Sequence, residues 1–312
     1  MPQTTPTATR RGFARGLLVG GASMLACGDP SATLRFSGIP DGDKRALKVG
    51  YETVADYLGK HMGRPVRYVH VPDYTAAVTA LATHKVDFAW LGGVTAVQAE
   101  ARTPGGVHFV AARQRDLEFR SYVIANRDVA TSLQLRPLDA RRPQALDELA
   151  ALTSHLRGRT FAFGAKSSTS GHIMPRSFLQ KVDFDPDTEL EGGPRYQLKG
   201  GHAATLRGVA SGAVDFGVLN FAVWEAATPE LQAAAPVVYV TPEYVDYCLV
   251  AHGRLARADV DKLRHALTTL DASTPGHAEV LAAFSAERFV EADAGAWDGI
   301  RGVLHAVVPG DA

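Results

Sequence analysis

The run Lys166-Ser167-Ser168-Thr169-Ser170-Gly171 places four consecutive hydroxyl side chains between an apolar stretch and a helix-like one. Hydroxyls, together with the free backbone N–H groups of a first helical turn, can surround a tetrahedral anion. A helix needs only one Ser or Thr as its cap, so the surplus points to an oxyanion held by Ser168, Thr169 and Ser170. Gly200-Gly201-His202 and Asp73-Tyr74 each open a further helix, and His202 follows Tyr74 by 128 residues, the offset that also separates Val214 from Val86. Both side chains donate hydrogen bonds, and matching positions in two similar units would aim both into one cleft. Leu91-Gly92-Gly93-Val94-Thr95 ends an apolar run and enters a helix. Gly92 and Gly93, with Thr95 beside them, either let the backbone approach a ligand or simply make a tight turn. Arg113 and Arg115 fall on the next expected strand, where a guanidinium grips an anion through two donors, although surface ion pairing is the plainer use of Arg115. Asp246 lies in Tyr244-Val245-Asp246-Tyr247. A carboxylate there suits an anion that has a proton to donate and opposes fully ionised sulfate or selenate. The alternative is an ion pair across a hinge, with Arg115 as its partner.

The elements that must position these groups follow from an internal repeat. Tyr74-Thr75-Ala76-Ala77-Val78 to Val86-Asp87-Phe88-Ala89-Trp90-Leu91 overlays His202-Ala203-Ala204-Thr205-Leu206 to Val214-Asp215-Phe216-Gly217-Val218-Leu219 without a gap. Each copy reads as a small-faced helix, a short turn and an almost wholly apolar strand, as in a covered, largely parallel sheet. Leu47, Tyr51, Val54, Leu58 and Met62 keep helical spacing up to Gly63, and Val66–Val71 reads as a strand. A helix at Leu146–Leu156, a strand at Thr160–Gly164, a helix from about Ser170 and a strand at Tyr196–Leu198 continue the rhythm. The expected fold is α/β, a clamshell of two Rossmann-like lobes. Arg120–Asn126 and Val237–Val250 are the candidate strands crossing between them. Lobe 1 takes residues 33–121 plus 245–312, and lobe 2 takes 122–244. The last fifty residues, with Val260, Leu263, Leu267 and Leu270 at helical spacing, are expected to pack back on the first unit.

Composition narrows the function classes. In 312 residues, 46% are hydrophobic and 21% charged, the balance of a chain that buries a core. Lys and Arg together number 33, equal to Asp plus Glu, and no basic block follows the N-terminus, so no nucleic-acid partner is expected. Two cysteines, Cys27 and Cys248, make neither a disulfide scaffold nor a metal cluster, and no metal or cofactor is expected. Thr9-Arg10-Arg11-Gly12-Phe13 before the apolar run Gly16–Ala26 reads as an export signal over residues 1–27, resembling the twin-arginine type. Cys27 resembles the acylated cysteine of a bacterial lipoprotein, against simple cleavage and release. Either outcome puts the mature chain in the periplasm or on the outer face of the cell membrane, with the membrane touched only through signal or lipid.

In this order, Asp73-Tyr74 before an Ala-rich helix, Val86-Asp87-Phe88-Ala89-Trp90, Ser168-Thr169-Ser170-Gly171 with Pro175 and Gly201-His202 resemble a known family. It is the periplasmic substrate-binding proteins of phosphate, phosphite and phosphonate ABC importers, over about Gly38 to Val250. Asp73–Ala80, Gly92-Gly93, Gln114-Arg115-Asp116 and Asp246-Tyr247 are most similar to a branch labelled selenate-binding. The resemblance implies a type II periplasmic-binding fold that closes around its ligand, with contacts from Tyr74, Ser168, Thr169, Ser170, His202 and Asp246. It also implies a permease and a separate ATPase as partners, since the chain has no P-loop, and a monomer by default. Where aminoalkyl-phosphonate binders carry a tyrosine and a glutamate, this chain has Leu91 and Ala222, which removes the partner of a substrate ammonium and favours a smaller oxyanion. Two other functions compete with a non-catalytic importer subunit. One is an exported hydrolase using a serine of 167–170 with His202 as base, against which no Gly-x-Ser-x-Gly elbow is present. The other is a sensor-associated binding protein of the same fold.

Overall fold

The computed structural model describes residues 32–138, 142–196 and 201–307. The export segment and Cys27 lie outside the described residues, as do residues 197–200, which include most of the strand expected at Tyr196–Leu198. Eleven strands are described: β1 Leu34–Gly38, β2 Val66–Tyr68, β3 Phe88–Leu91, β4 Val107–Arg113, β5 Ser121–Ala125, β6 Phe161–Phe163, β7 Arg195–Tyr196, β8 Phe216–Asn220, β9 Val237–Val240, β10 Cys248–His252 and β11 Phe289–Glu291. They form two sheets, ordered β11-β4-β10-β3-β1-β2 and β7-β6-β8-β5-β9.

The repeat has a physical basis in these sheets. β3 lies between parallel β1 and antiparallel β10, and β8 lies between parallel β6 and antiparallel β5. Every residue of β3 and β8 is buried. The repeated aspartate ties each copy to its parallel neighbour. Asp87 accepts from the Arg35 backbone N–H at 2.7 Å and from its guanidinium at 3.0 Å, while Asp215 accepts from the Thr160 N–H and hydroxyl at 2.9 Å each.

Helices cover the sheets where periodicity places them. The first runs Lys44–Met62, with Asp43 accepting from the N–H groups of Arg45 and Ala46 and with Gly63 at φ 68° ending it in the left-handed region. The helix expected at Leu146–Leu156 is found with those bounds.

Three expectations need correction. The sheets are mixed and not largely parallel, because β5 and β10 enter from the opposite lobe and run against their neighbours. The crossings are not strands 120–126 and 237–250. β5 and β9 belong to the second sheet and β10 to the first, and segments 114–120 and 241–247 pass between. The two passages are strapped together by Phe119 N–H to Tyr244 O at 2.8 Å and Tyr244 N–H to Phe119 O at 2.9 Å. Finally, the C-terminal region does more than cover the first unit. Val260, Leu263 and Leu267 of the helix Arg257–Thr268 are buried against β4, β11 and the first helix. The last helix, Asp298–Val307, touches both Gly93–Arg102 and Met174–Lys181, which flank different sheets. Among the described residues no helix is long and apolar enough to cross a membrane.

Candidate functional site

The hydroxyl cluster follows β6 and opens a π-helical turn, Thr169–Ile173, which continues into the helix Met174–Lys181. Ser168 caps this turn, its Oγ accepting from Gly171 N–H at 3.0 Å. The wide turn leaves its first N–H groups without partners inside the helix. Ser168, Thr169 and Ser170 are all buried. Gly171 is required by space: a Cβ there would lie 2.9 Å from the His202 ring and 3.1 Å from Gly164 Cα.

His202, second residue of the helix Gly201–Ala210, brings a donor to this cage. Its Nδ1 accepts from the Asn220 backbone N–H at 3.2 Å, so in the neutral ring the proton is assigned to Nε2. Nε2 lies 3.5 Å from Ser170 Oγ and 3.7 Å from Asp41 Oδ2. Burial holds the His202 pKa below its ordinary value, with Asp41 opposing, so the ring enters the site as a neutral donor. Tyr74 opens the helix Tyr74–Ala82 behind the capping carboxylate of Asp73. Its hydroxyl pKa is raised by burial first and then by Asp41 and Asp246, so it keeps its proton.

Asp246 comes from the second crossing segment and meets the helix Gly93–Arg102 at its N-terminus. Oδ1 accepts from Gly93 N–H at 2.9 Å, whereas buried Oδ2 has no partner among the described residues. Burial pushes this carboxyl up to about 7, with the Gly93 N–H opposing, Asp116 adding and the Thr169 hydroxyl opposing. Trp297 Nε1 donates to the Asp246 carbonyl at 2.9 Å and fixes the backbone behind the acid. Across the cleft, Val94 N–H donates to Thr169 Oγ1 at 3.0 Å. Gly92 is needed for this approach, since a Cβ there would stand 3.2 Å from Asp246 Oδ1 and 3.3 Å from Thr169 Oγ1.

The structure therefore gathers Tyr74, Ser168, Thr169, Ser170, His202 and Asp246 where the two sheets face each other. Gly92 and Gly93 make room for Asp246 and Thr169. The Thr95 hydroxyl is engaged within its own turn, donating to Gly92 O at 2.8 Å. Arg115 does not pair with Asp246, and it lies past the end of β4, in a short 3-10 turn with its guanidinium 5.7 Å from the Phe221 ring centre. Arg113 takes the nearby acid, donating to Asp116 at 2.7 and 2.6 Å. The residue that sequence reasoning missed is Asp41, in the turn after β1. Its Oδ2 accepts a hydrogen bond from the Tyr247 hydroxyl as it faces His202. Its one sequence signal is an acid at the carboxyl end of a strand in an α/β sheet, where ligands bind. No group of His, Cys, Asp and Glu among the described residues could hold a metal ion.

Two α/β sheets joined by paired crossings, with helix N-termini and hydroxyls converging between them, define a two-lobed solute-binding protein. Residues 36–297 match the family model described as "ABC transporter, phosphonate, periplasmic substrate-binding protein". The chain is 31% identical over 267 residues to the "Probable ABC transporter phosphite binding protein PhnD1" of Prochlorococcus marinus (strain MIT 9301), covering 83% of this chain and 84% of that one. It is 23% identical over 234 residues to the "Phosphonates-binding periplasmic protein" of Escherichia coli (strain K12), covering 74% and 64% respectively. Its fold is similar to the solved structure of PhnD1 from P. marinus (MIT 9301) in complex with methylphosphonate, with a TM-score of 0.77, 30% identity and coverage of 89% of this chain and 98% of that one. The chain belongs to the family of periplasmic substrate-binding proteins of phosphonate ABC transporters. None of the relatives named here is described as a selenate binder.

Proposed function

We propose that this chain captures a small, singly protonated phosphonate or phosphite between lobe 1 (residues 33–121 and 245–312) and lobe 2 (residues 122–244). It then delivers the ligand to a membrane permease powered by a separate ATPase. The observation that carries the reading is the buried Oδ2 of Asp246, which has no partner among the described residues and stands beside Thr169. A carboxyl that titrates near neutrality inside a cage of donors is suited to accept a proton from the ligand. Ser168, Thr169, Ser170, Tyr74 and His202 supply the donors for the remaining oxygens. Donors from each lobe converge on one site, so an anion held between them favours the closed arrangement. A fully ionised selenate has no proton to offer Asp246, which argues against the selenate branch. The descriptions of the relatives, phosphite and phosphonate, agree with this reading.

The serine-hydrolase alternative is opposed by the His202 tautomer. A general base needs a free Nε2 toward the serine and an Nδ1–H held by an acid. Here Nδ1 accepts from Asn220 N–H, leaving the proton on the nitrogen that faces Ser170. The test is calorimetric titration of anion-stripped protein with methylphosphonate, phosphite, phosphate, sulfate and selenate at pH 5.5 and 8. Micromolar or tighter binding of a phosphorus ligand, weakened by Asp246→Asn, is the expected result. Binding of selenate or sulfate in preference to every phosphorus ligand would overturn the proposal.

A further inference from the structure

Asp41 lies in the turn Ile39-Pro40-Asp41-Gly42-Asp43, between β1 and the first helix, and its side chain is 12% exposed. Neighbouring Asp43 is spent on capping that helix, whereas Asp41 turns inward. It accepts from the Tyr247 hydroxyl on the second crossing segment and lies 3.7 Å from His202 Nε2 on a helix that flanks the other sheet. Its Oδ1 comes so close to the start of that helix that a Cβ on Gly201 would stand 2.9 Å away. Tyr74, on a third helix, is close enough for Asp41 to act on its hydroxyl, as is Tyr51 on the first. Asp41 is thus an acid set among the donors expected to grip the ligand, touching elements from both sides of the cleft.

Its negative charge has a consequence that none of those donors shares. His202 Nε2 is within 3.5 Å of Ser170 Oγ and 3.7 Å of Asp41 Oδ2. A ligand oxygen accepting from Ser170 and His202 therefore sits a few ångströms from the Asp41 carboxylate. Asp246, one of whose oxygens has no partner among the described residues, stands beside Thr169 of the same hydroxyl cluster. Like charges at such spacing inside a buried site repel with little screening. We infer that Asp41 is a specificity-determining residue, a second carboxylate that makes the cleft reject dianions and accept oxyanions carrying a single negative charge.

This inference rests on the oxyanion reading above, and one experiment separates the two. The full chain and its Asp41→Asn variant are titrated by calorimetry with methylphosphonate, phosphite, sulfate and selenate at pH 7. Asparagine keeps the shape and the acceptor for the Tyr247 hydroxyl but removes the charge. The expected result is that Asp41→Asn improves sulfate and selenate affinity relative to methylphosphonate by tenfold or more, with Asp41→Glu holding the wild-type ratio. Wild-type chain that binds methylphosphonate, together with an Asp41→Asn ratio within threefold of it, overturns the role of Asp41 and leaves the phosphonate reading standing. Wild-type chain that binds none of the phosphorus ligands overturns both. Should Asp41→Asn fail to fold, Asp41→Ser replaces it, with the same ratio as the deciding quantity.

Discussion

Replacing Asp246 by asparagine should make the ligand-free protein more stable at pH 8 and at the same time a worse binder. The Asp246 carboxyl is fully buried, and burial raises its pKa from 3.8 to about 7. The sign follows from linkage. Between pH 4 and pH 7 the native chain holds a proton that the unfolded chain has released, so stability falls as pH rises through that window. An ordinary ion-paired aspartate behaves in the opposite sense. The interval from 3.8 to about 7, at about 1.4 kcal/mol per pH unit, amounts to about 4 kcal/mol lost above neutrality. Asparagine resembles the protonated acid, can still accept from Gly93 N–H, and has no proton to lose. The stability difference between variant and wild type should therefore be near zero at pH 4 and grow to several kcal/mol at pH 8. Urea unfolding at half-unit pH steps measures it, and taking the difference removes titrations common to both proteins.

Binding should move the other way. Oδ2 of Asp246 has no partner among the described residues and is the proposed acceptor for the ligand's proton. Asparagine turned to keep its oxygen on Gly93 N–H presents an N–H₂ donor there instead. A hydrogen bond to a charged group is worth about 1.5–3 kcal/mol, so methylphosphonate should bind roughly 10- to 100-fold more weakly. A gain in stability paired with a loss of affinity marks a functional residue held at a cost to the fold. A stability difference that is the same at pH 5 and pH 8 refutes the argument, as does a wild type that is the more stable protein at pH 8.

Three further outcomes follow from the same geometry. Wild-type affinity for methylphosphonate should fall by up to tenfold per pH unit above about 7, because the shared proton must then be taken up on binding; titrations in buffers of different ionisation enthalpy should show close to one proton absorbed at pH 8. Gly92→Ala puts a methyl 3.2 Å from Asp246 Oδ1 and 3.3 Å from Thr169 Oγ1, so it should cost about 1–3 kcal/mol in unfolding experiments and weaken the ligand-bound, closed state. Cys248 is free and buried, and burial raises its thiol pKa, so a thiol reagent should leave it unlabelled in the native protein and modify it only in denaturant, as peptide mass analysis would read.

Sequence features set by near neighbours proved legible. The offset of 128 residues could be read because each copy must bury an apolar strand and anchor it to a parallel neighbour, the task shared by Asp87 and Asp215. The hydroxyl cluster stood out because Ser168 alone satisfies the cap, leaving Thr169 and Ser170 to be explained. Features set by distant partners were not legible. The antiparallel halves of both sheets depend on chain crossings, and no strand carries its pairing direction in its own residues. Arg113 and Arg115 are chemically the same two residues apart, and only the folded turn shows that the former takes Asp116. Asp41 is the sharpest case. Pro40-Asp41-Gly42 has the composition of a common turn, so local chemistry fully accounts for the acid. Its other partners are Tyr247, 206 positions along the chain, and His202 beyond the far sheet. A residue whose proposed role depends on partners from both sides of the cleft leaves only a faint local signature, here an acid at the carboxyl end of a strand. Acids in strand-to-helix turns of a two-lobed binding protein should therefore be weighed as candidate charge filters even when the turn explains them.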